Sequence, residues 1–174
     1  MLKFSFLFMF FIAFQTTSQP VLKENLTKKK SLYWDFNQTQ LQAIGSYYKD
    51  PLGETTKEHG KWEYYDRYGK LEEIRNYYKG KLHGAVILKY PTGKNKQEGY
   101  FKNDLQDSVY REWNEIGNLE VAGYYKNNQP VGEWQYFYID GKPKLIEEIV
   151  DSTKFVKSFW LNDSLHTQTI TDGN

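Results

Sequence analysis

His59, His83 and His166 are the three imidazoles of a chain that has no Cys. Acid–base or metal chemistry would therefore fall to histidines, carboxylates and phenols, and disulfides, thiol nucleophiles, thiolate metal sites and lipid-anchored cysteines are excluded. His59 and His83 stand 24 residues apart, each directly before a glycine, and Asp107 and Val131 follow at the same step. Two imidazoles and a carboxylate stacked on neighbouring hairpins could hold a divalent metal. A polar slot beside a turn accounts for the same residues, so no metal, cofactor or catalytic residue is assigned. The acid pairs Glu72-Glu73 and Glu147-Glu148 are adjacent in sequence. Neighbours on a strand point to opposite faces, so neither pair can act as a two-carboxylate hydrolytic site, and solvated rims are expected. No phosphate-binding glycine loop, nucleophile elbow or HExxH pattern is present. The triplets starting at Asn25, Asn37 and Asn162 match the glycosylation acceptor, a pattern too common to assign. What remains is the rings: 15 Tyr, 11 Phe and 5 Trp. Exposed, they could stack on sugars or anchor a protein partner; buried, they are the core.

The elements that carry these residues repeat. Gly60, Gly84, Ser108 and Gly132 are spaced by 24 residues, and so are Gly69, Gly93, Gly117 and Gly141. Two positions after the first series come Trp62, Val86, Tyr110 and Trp134. Aromatic pairs precede it at Tyr47-Tyr48, Tyr77-Tyr78, Tyr100-Phe101 and Tyr124-Tyr125, the first displaced by extra residues around Pro51 to Glu58. Four units follow, at 45–76, 77–99, 100–123 and 124–148. Asp or Asn before the second glycine series, with Pro91-Thr92-Gly93 the variant, and Gly80, Asn103-Asp104 and Asn127-Asn128 in the other turn, supply the left-handed corners that hairpins need. Between corners the chain alternates: Trp62 and Tyr64 share one face, Glu63 and Tyr65 the other. No segment has a sustained helical period, so rings must cover the sheet themselves. The expected fold is all-β: an elongated, curved antiparallel sheet of consecutive hairpins of about 24 residues. A lone unit should not fold. The Asp107-Ser108 step, with serine for glycine, puts a tight corner there in doubt.

The ends extend the pattern loosely. Leu32–Phe36 with Leu41–Tyr48 reads as a degenerate first hairpin, and Phe155–Trp160 with Leu165–Ile170 as a last one. Asp172-Gly173-Asn174 is a turn signal with nothing after it, which favours a polypeptide that continues. At the other end, Lys3, the apolar run Phe4–Phe14, and the small residues Thr16 and Ser18 have the three-part layout of a signal peptide over 1–18. An uncleaved anchor is the alternative. Export, to a periplasmic or extracellular site, is expected. Residues 19–30, with Lys23 and Lys28–Lys30, read as a flexible basic linker, and residues 31–174 as the repeat domain. The formal charge of +1 argues against nucleic acid as a partner. The linker lysines leave room for weak contact with an anionic membrane surface.

The units Tyr77-Tyr78-Lys79-Gly80-Lys81-Leu82-His83-Gly84 and Tyr124-Tyr125-Lys126-Asn127 through Gly132-Glu133-Trp134 resemble the MORN-repeat variant family, and in particular its exported Bacteroidetes-type members. The resemblance implies a curved hairpin sheet. It implies function in two directions: relatives labelled as YwqK-type antitoxins, and relatives whose repeats precede a TonB-like domain. The expected function is a non-catalytic exported scaffold for protein or cell-envelope contacts. An antitoxin or immunity role, or the repeat region of a TonB-like envelope protein, is the alternative, and a glycan-active enzyme is less favoured.

Overall fold

The computed structural model describes residues 25–171. The expected leader, 1–18, and the closing turn signal at 172–174 lie outside them. Twelve strands follow one another: β1 (Lys30–Tyr33), β2 (Leu41–Asp50), β3 (Gly53–Tyr65), β4 (Leu71–Tyr78), β5 (Lys81–Lys89), β6 (Asn95–Lys102), β7 (Leu105–Trp113), β8 (Leu119–Lys126), β9 (Gln129–Phe137), β10 (Pro143–Val150), β11 (Thr153–Trp160) and β12 (Gln168–Thr171). They form one open antiparallel sheet in sequence order, an all-β meander of hairpins. Each 24-residue unit is two strands and two corners.

The corners differ along the two rims. On one rim, Lys79-Gly80, Asn103-Asp104, Asn127-Asn128 and Asp151-Ser152 all have positive φ at both residues. Two consecutive left-handed residues make the tight turn whose twist matches that of the flanking strands. The tips also bond to the preceding unit. Asp104 N–H donates to Leu82 O at 3.0 Å, while its Oδ1 accepts Leu82 N–H at 2.7 Å. Asn128 repeats the exchange with Gln106 at 2.9 and 2.6 Å. On the other rim, loops 66–70, 90–94, 114–118 and 138–142 are closed alike. The first residue donates to the carbonyl of the fifth, and the left-handed glycine at the fourth (Gly69, Gly93, Gly117 or Gly141) donates back to the first.

The first glycine series turns no corner. Gly60, Gly84, Ser108 and Gly132 lie inside β3, β5, β7 and β9, with φ of 74°, 106°, 91° and 66°. Beside each, the register to the preceding strand slips: Arg75 pairs with Val86 but Tyr77 with Leu82, and Ala122 with Gln135 but Tyr124 with Val131. These are bulges, and Ser108 adopts the same left-handed backbone as its glycine counterparts. The insertion near Pro51 is absorbed by a longer β2–β3 pair, whose register shifts twice.

The end hairpins depart from the repeat. Loops 34–40 and 161–167 are two residues longer than the central ones, and their left-handed residues are Gln38 and His166. Leu165 is 85% exposed in the last loop, and the final strand begins only at Gln168. The expected linker is partly docked. Thr27 N–H donates to Tyr47 O at 3.0 Å, Lys49 N–H to Asn25 O at 2.7 Å, and Thr27 is buried.

Candidate interaction face

Register sorts the side chains onto two faces. One carries the row Ala43, Tyr64, Glu73, Leu88, Gln97, Glu112, Val121, Tyr136, Leu145 and Phe159, read directly across neighbouring strands. Trp62, Tyr110 and Trp134 form the next row and are the most buried Tyr, Phe and Trp rings among the described residues. Each lies over a glycine of the preceding strand. A Cβ on Gly45 would stand 2.2 Å from the Trp62 indole, and one on Gly123 would stand 2.3 Å from that of Trp134. Gly99 takes Tyr110 in the same way, more loosely, at 3.7 Å. Only a bare backbone lets a ring lie so close. Where the ring is replaced by Val86, the glycine is replaced by Arg75.

A third row adds edges. Tyr47 meets Trp62 at 5.1 Å and 66°, and Tyr125 meets Trp134 at 5.2 Å and 87°. Tyr110, Trp134 and Ile149 make the main core cluster, with Val121, Tyr125 and Tyr136 against it. Edge-to-face contact between rings adds roughly 0.5–1.5 kcal/mol to their burial.

Carboxylates are set among these rings. Tyr110 donates to Glu112, and Tyr136 to Glu147 at 3.2 Å. Arg75 binds Glu73 at 2.7 Å and lies over the Tyr64 ring at 4.8 Å from its centre, while the hydroxyls of Tyr64 and Tyr77 are 3.1 Å apart. Burial, then the neighbouring carboxylate, pushes the Tyr136 phenol up to about 12. Burial likewise raises Tyr110 and Tyr64, helped by Glu112 and by Tyr77 respectively. The Glu73 carboxylate holds the Arg75 guanidinium charged. These phenols are thus kept protonated, as hydrogen-bond donors.

The acid pairs split between faces as alternation requires: Glu73 and Glu147 lie on the ring face, Glu148 opposite, against Glu133. Solvated rims describe only half of them. The side chains of Glu73 and Glu147 are 15% and 14% exposed and paired, Glu147 also with Lys154 at 3.6 Å. The histidine row is a packing slot. His59 is buried between Tyr48 and Tyr78, at 5.3 and 5.4 Å, and its Nδ1 accepts Lys79 N–H at 3.2 Å. His83 packs on Tyr78 at 5.8 Å, and Asp107 pairs with Lys126 at 2.9 Å. Among the described residues no three His, Cys, Asp or Glu gather to hold a metal. His166 stands apart, stacked on Trp160 at 6.2 Å.

One motif escaped the sequence reading. Asp35 accepts from Thr39 N–H, Thr39 Oγ1 and Gln40 N–H, and Asp163 accepts from Thr167 N–H and Oγ1. The shared signal is Asp-x-x-x-Thr, present once at each end.

No family model matches the chain. Over 101 residues, 56% of its length, it is 31% identical to Alsin of Homo sapiens, and to the same extent to Alsin of Pan troglodytes. The match spans about 5% of each Alsin chain.

Proposed function

We propose that this chain is a non-catalytic, exported scaffold of MORN-like repeats that holds a protein or cell-envelope partner against its ring face. The observation that carries the reading is the open ring face itself. Tyrosines on β3, β4, β7 and β9, each tied to a carboxylate or to another phenol, line it, and among the described residues no second layer covers them. Aromatic rings with a polar tip give a partner large contact area at little cost in side-chain entropy. The ladder of tip-to-tip hydrogen bonds holds that surface rigid, which favours binding by reducing the order lost on association. Export rests on the leader-like residues 1–18, and membership in the repeat family on the quoted units.

Face-specific capture tests the reading. A photo-crosslinking side chain at Gln97, on the ring face, should trap a discrete partner in extracts of the source cell envelope. The same side chain at Lys96, on the opposite face, should not. Equal capture from both faces, or none from Gln97, counts against it. Sequencing the N-terminus of the exported product tests the leader: a start at Met1 would contradict cleavage.

A further inference from the structure

Three carboxylates stand in the first two rows of the ring face: Glu73, Glu112 and Glu147. Two of them have cations of the chain's own. Glu73 takes the Arg75 guanidinium at 2.7 Å, and that guanidinium also lies over the ring of Tyr64, which is directly opposite Glu73 on β3. Glu147 has Lys154. Glu112 is half-buried, accepts from the Tyr110 hydroxyl, and has no cationic partner among the described residues. Tyr110 occupies the row of Arg75, so β7 supplies a phenol where β4 supplies a guanidinium. A carboxylate has room for further donors beside one hydroxyl. Gln97 and Val121 are the cross-strand neighbours of Glu112, and Tyr136 follows in the same row. Tyr136 is thus two strand spacings from Glu112, about 10 Å between backbones, with the shorter Val121 between them. After burial, the charge of Glu112 adds to the rise of the Tyr110, Tyr125 and Tyr136 phenols, so it is felt across this part of the face.

A partner that covers the face removes water from Glu112. An ionised carboxylate dried without a cation is costly, and a charge-assisted hydrogen bond offsets that cost. We propose that the partner presents an arginine side chain to Glu112 and lays its guanidinium against the Tyr136 ring, as Arg75 lies against Tyr64. The inference rests on the ring face being the docking face. A guanidinium grips a carboxylate as a fork, stacks on a ring, and sheds water more readily than an ammonium, which selects arginine over lysine. An acidic segment would set like charges together.

Two measurements separate this contact from the face itself. The first needs no partner. N-acetylargininamide, titrated into the full chain with isotope-labelled Glu carboxyl and Tyr ring carbons, should shift the Glu112 and Tyr136 resonances saturably in the millimolar range. N-acetyllysinamide should bind several-fold more weakly. Glu112→Gln, which keeps an acceptor for Tyr110, should abolish the shift at Tyr136. Gln97→Arg, which brings a guanidinium of the chain itself opposite Glu112, should abolish it too. No shift, equal binding of the two amides, or an arginine shift that survives Glu112→Gln overturns the inference. In the second measurement, capture through Gln97 is repeated with Glu112→Gln and should fall by roughly tenfold or more. Glu148→Gln, on the opposite face, should leave it unchanged. Capture that Glu112→Gln leaves intact overturns the arginine contact and spares the face. No capture from Gln97 in the otherwise unsubstituted chain removes the face, and the contact with it.

Discussion

Trp62 and Trp134 fill the same slot three repeats apart. Each lies over a glycine of the strand before it, with a tyrosine edge against its ring and almost no exposure. Their indole N–H groups fare differently. Trp62 Nε1 donates to Ser46 O at 2.9 Å, whereas Trp134 Nε1 is buried with no partner. The rings are tilted differently against their tyrosines, 66° against 87°, and Trp62 sits beside the widened β2–β3 pair, where the register slips twice. The repeat thus preserves shape, a flat ring on bare backbone, and leaves hydrogen bonding to local circumstance. A buried donor without a partner forfeits roughly 1–3 kcal/mol of desolvation, so the C-terminal slot carries a cost that the N-terminal one avoids.

Removing the whole ring should hide that difference. Trp62→Ala and Trp134→Ala are each expected to destabilise by about 3–5 kcal/mol, since the lost burial and the cavity dominate. Urea midpoints that separate the two by more than the N–H difference would mean that the slots are not equivalent. Filling the slot from below comes next. Gly45→Ala and Gly123→Ala should each cost about 1–3 kcal/mol, because the new methyl meets an indole that is itself buried. Gly99→Ala should cost less than either: its tightest contact, at 3.0 Å, is the far end of the Gln106 side chain, which can swing away. Equal losses at all three positions would break the ring-on-glycine account.

A subtler substitution exposes the asymmetry. Trp62→Phe and Trp134→Phe remove the same volume, but only the first breaks a hydrogen bond, to the carbonyl of a buried residue, Ser46. Trp62→Phe should therefore be worse by about 1 kcal/mol. Chemical denaturation that ranks them equal, or reverses them, would place an acceptor near Trp134 Nε1.

These comparisons also mark what could be read in the residues. The 24-residue period was legible because glycines, corner residues and rings each answer a fixed backbone demand at a fixed step. The glycine at 60, 84 and 132 was legible as a tight corner, but not as a bulge, because a turn and a bulge ask the same φ of it. Gly45 under Trp62 was harder to see than Gly123 under Trp134. The insertion stretches its separation from 11 residues to 17. Within the candidate face, the rings were legible from alternation. The inward placement of Glu73 and Glu147 was not, since it depends on which tyrosine or arginine register and bulges bring alongside. The end hairpins were legible, but their aspartate caps were not, because these loops reach left-handed backbone through Gln38 and His166 rather than through a glycine.

Ser108 allows the bulge to be isolated from packing. It holds φ at 91°, where its counterparts are glycine, and a side chain there is strained. Ser108→Gly should stabilise by about 1 kcal/mol. The reverse change, Gly132→Ser, should destabilise by a similar amount, because its Cβ would enter open space and only backbone strain is added. Thermal midpoints that move the other way would reject the shared bulge geometry.

The smallest effect concerns the two end loops, set against loop 90–94. Backbone donation from Thr39 leads the causes that lower the Asp35 carboxyl, and the Thr167 hydroxyl leads those that lower Asp163. A carboxyl lowered in the folded state lends stability that is complete above the ordinary Asp value near 3.9. That stability is lost as pH falls through the lower folded value. The amides of Thr39, Gln40 and Thr167 should therefore lose exchange protection as pH drops from about 5 toward 2, after correction for intrinsic rates. Gly93, whose loop closes on the Tyr90 carbonyl and has no carboxylate cap, should keep its protection over the same range. Asp35→Asn and Asp163→Asn should flatten the response each in its own loop, and leave the other intact. Acid loosening of equal size at Gly93 would mean that the end hairpins are held by the sheet rather than by their aspartates.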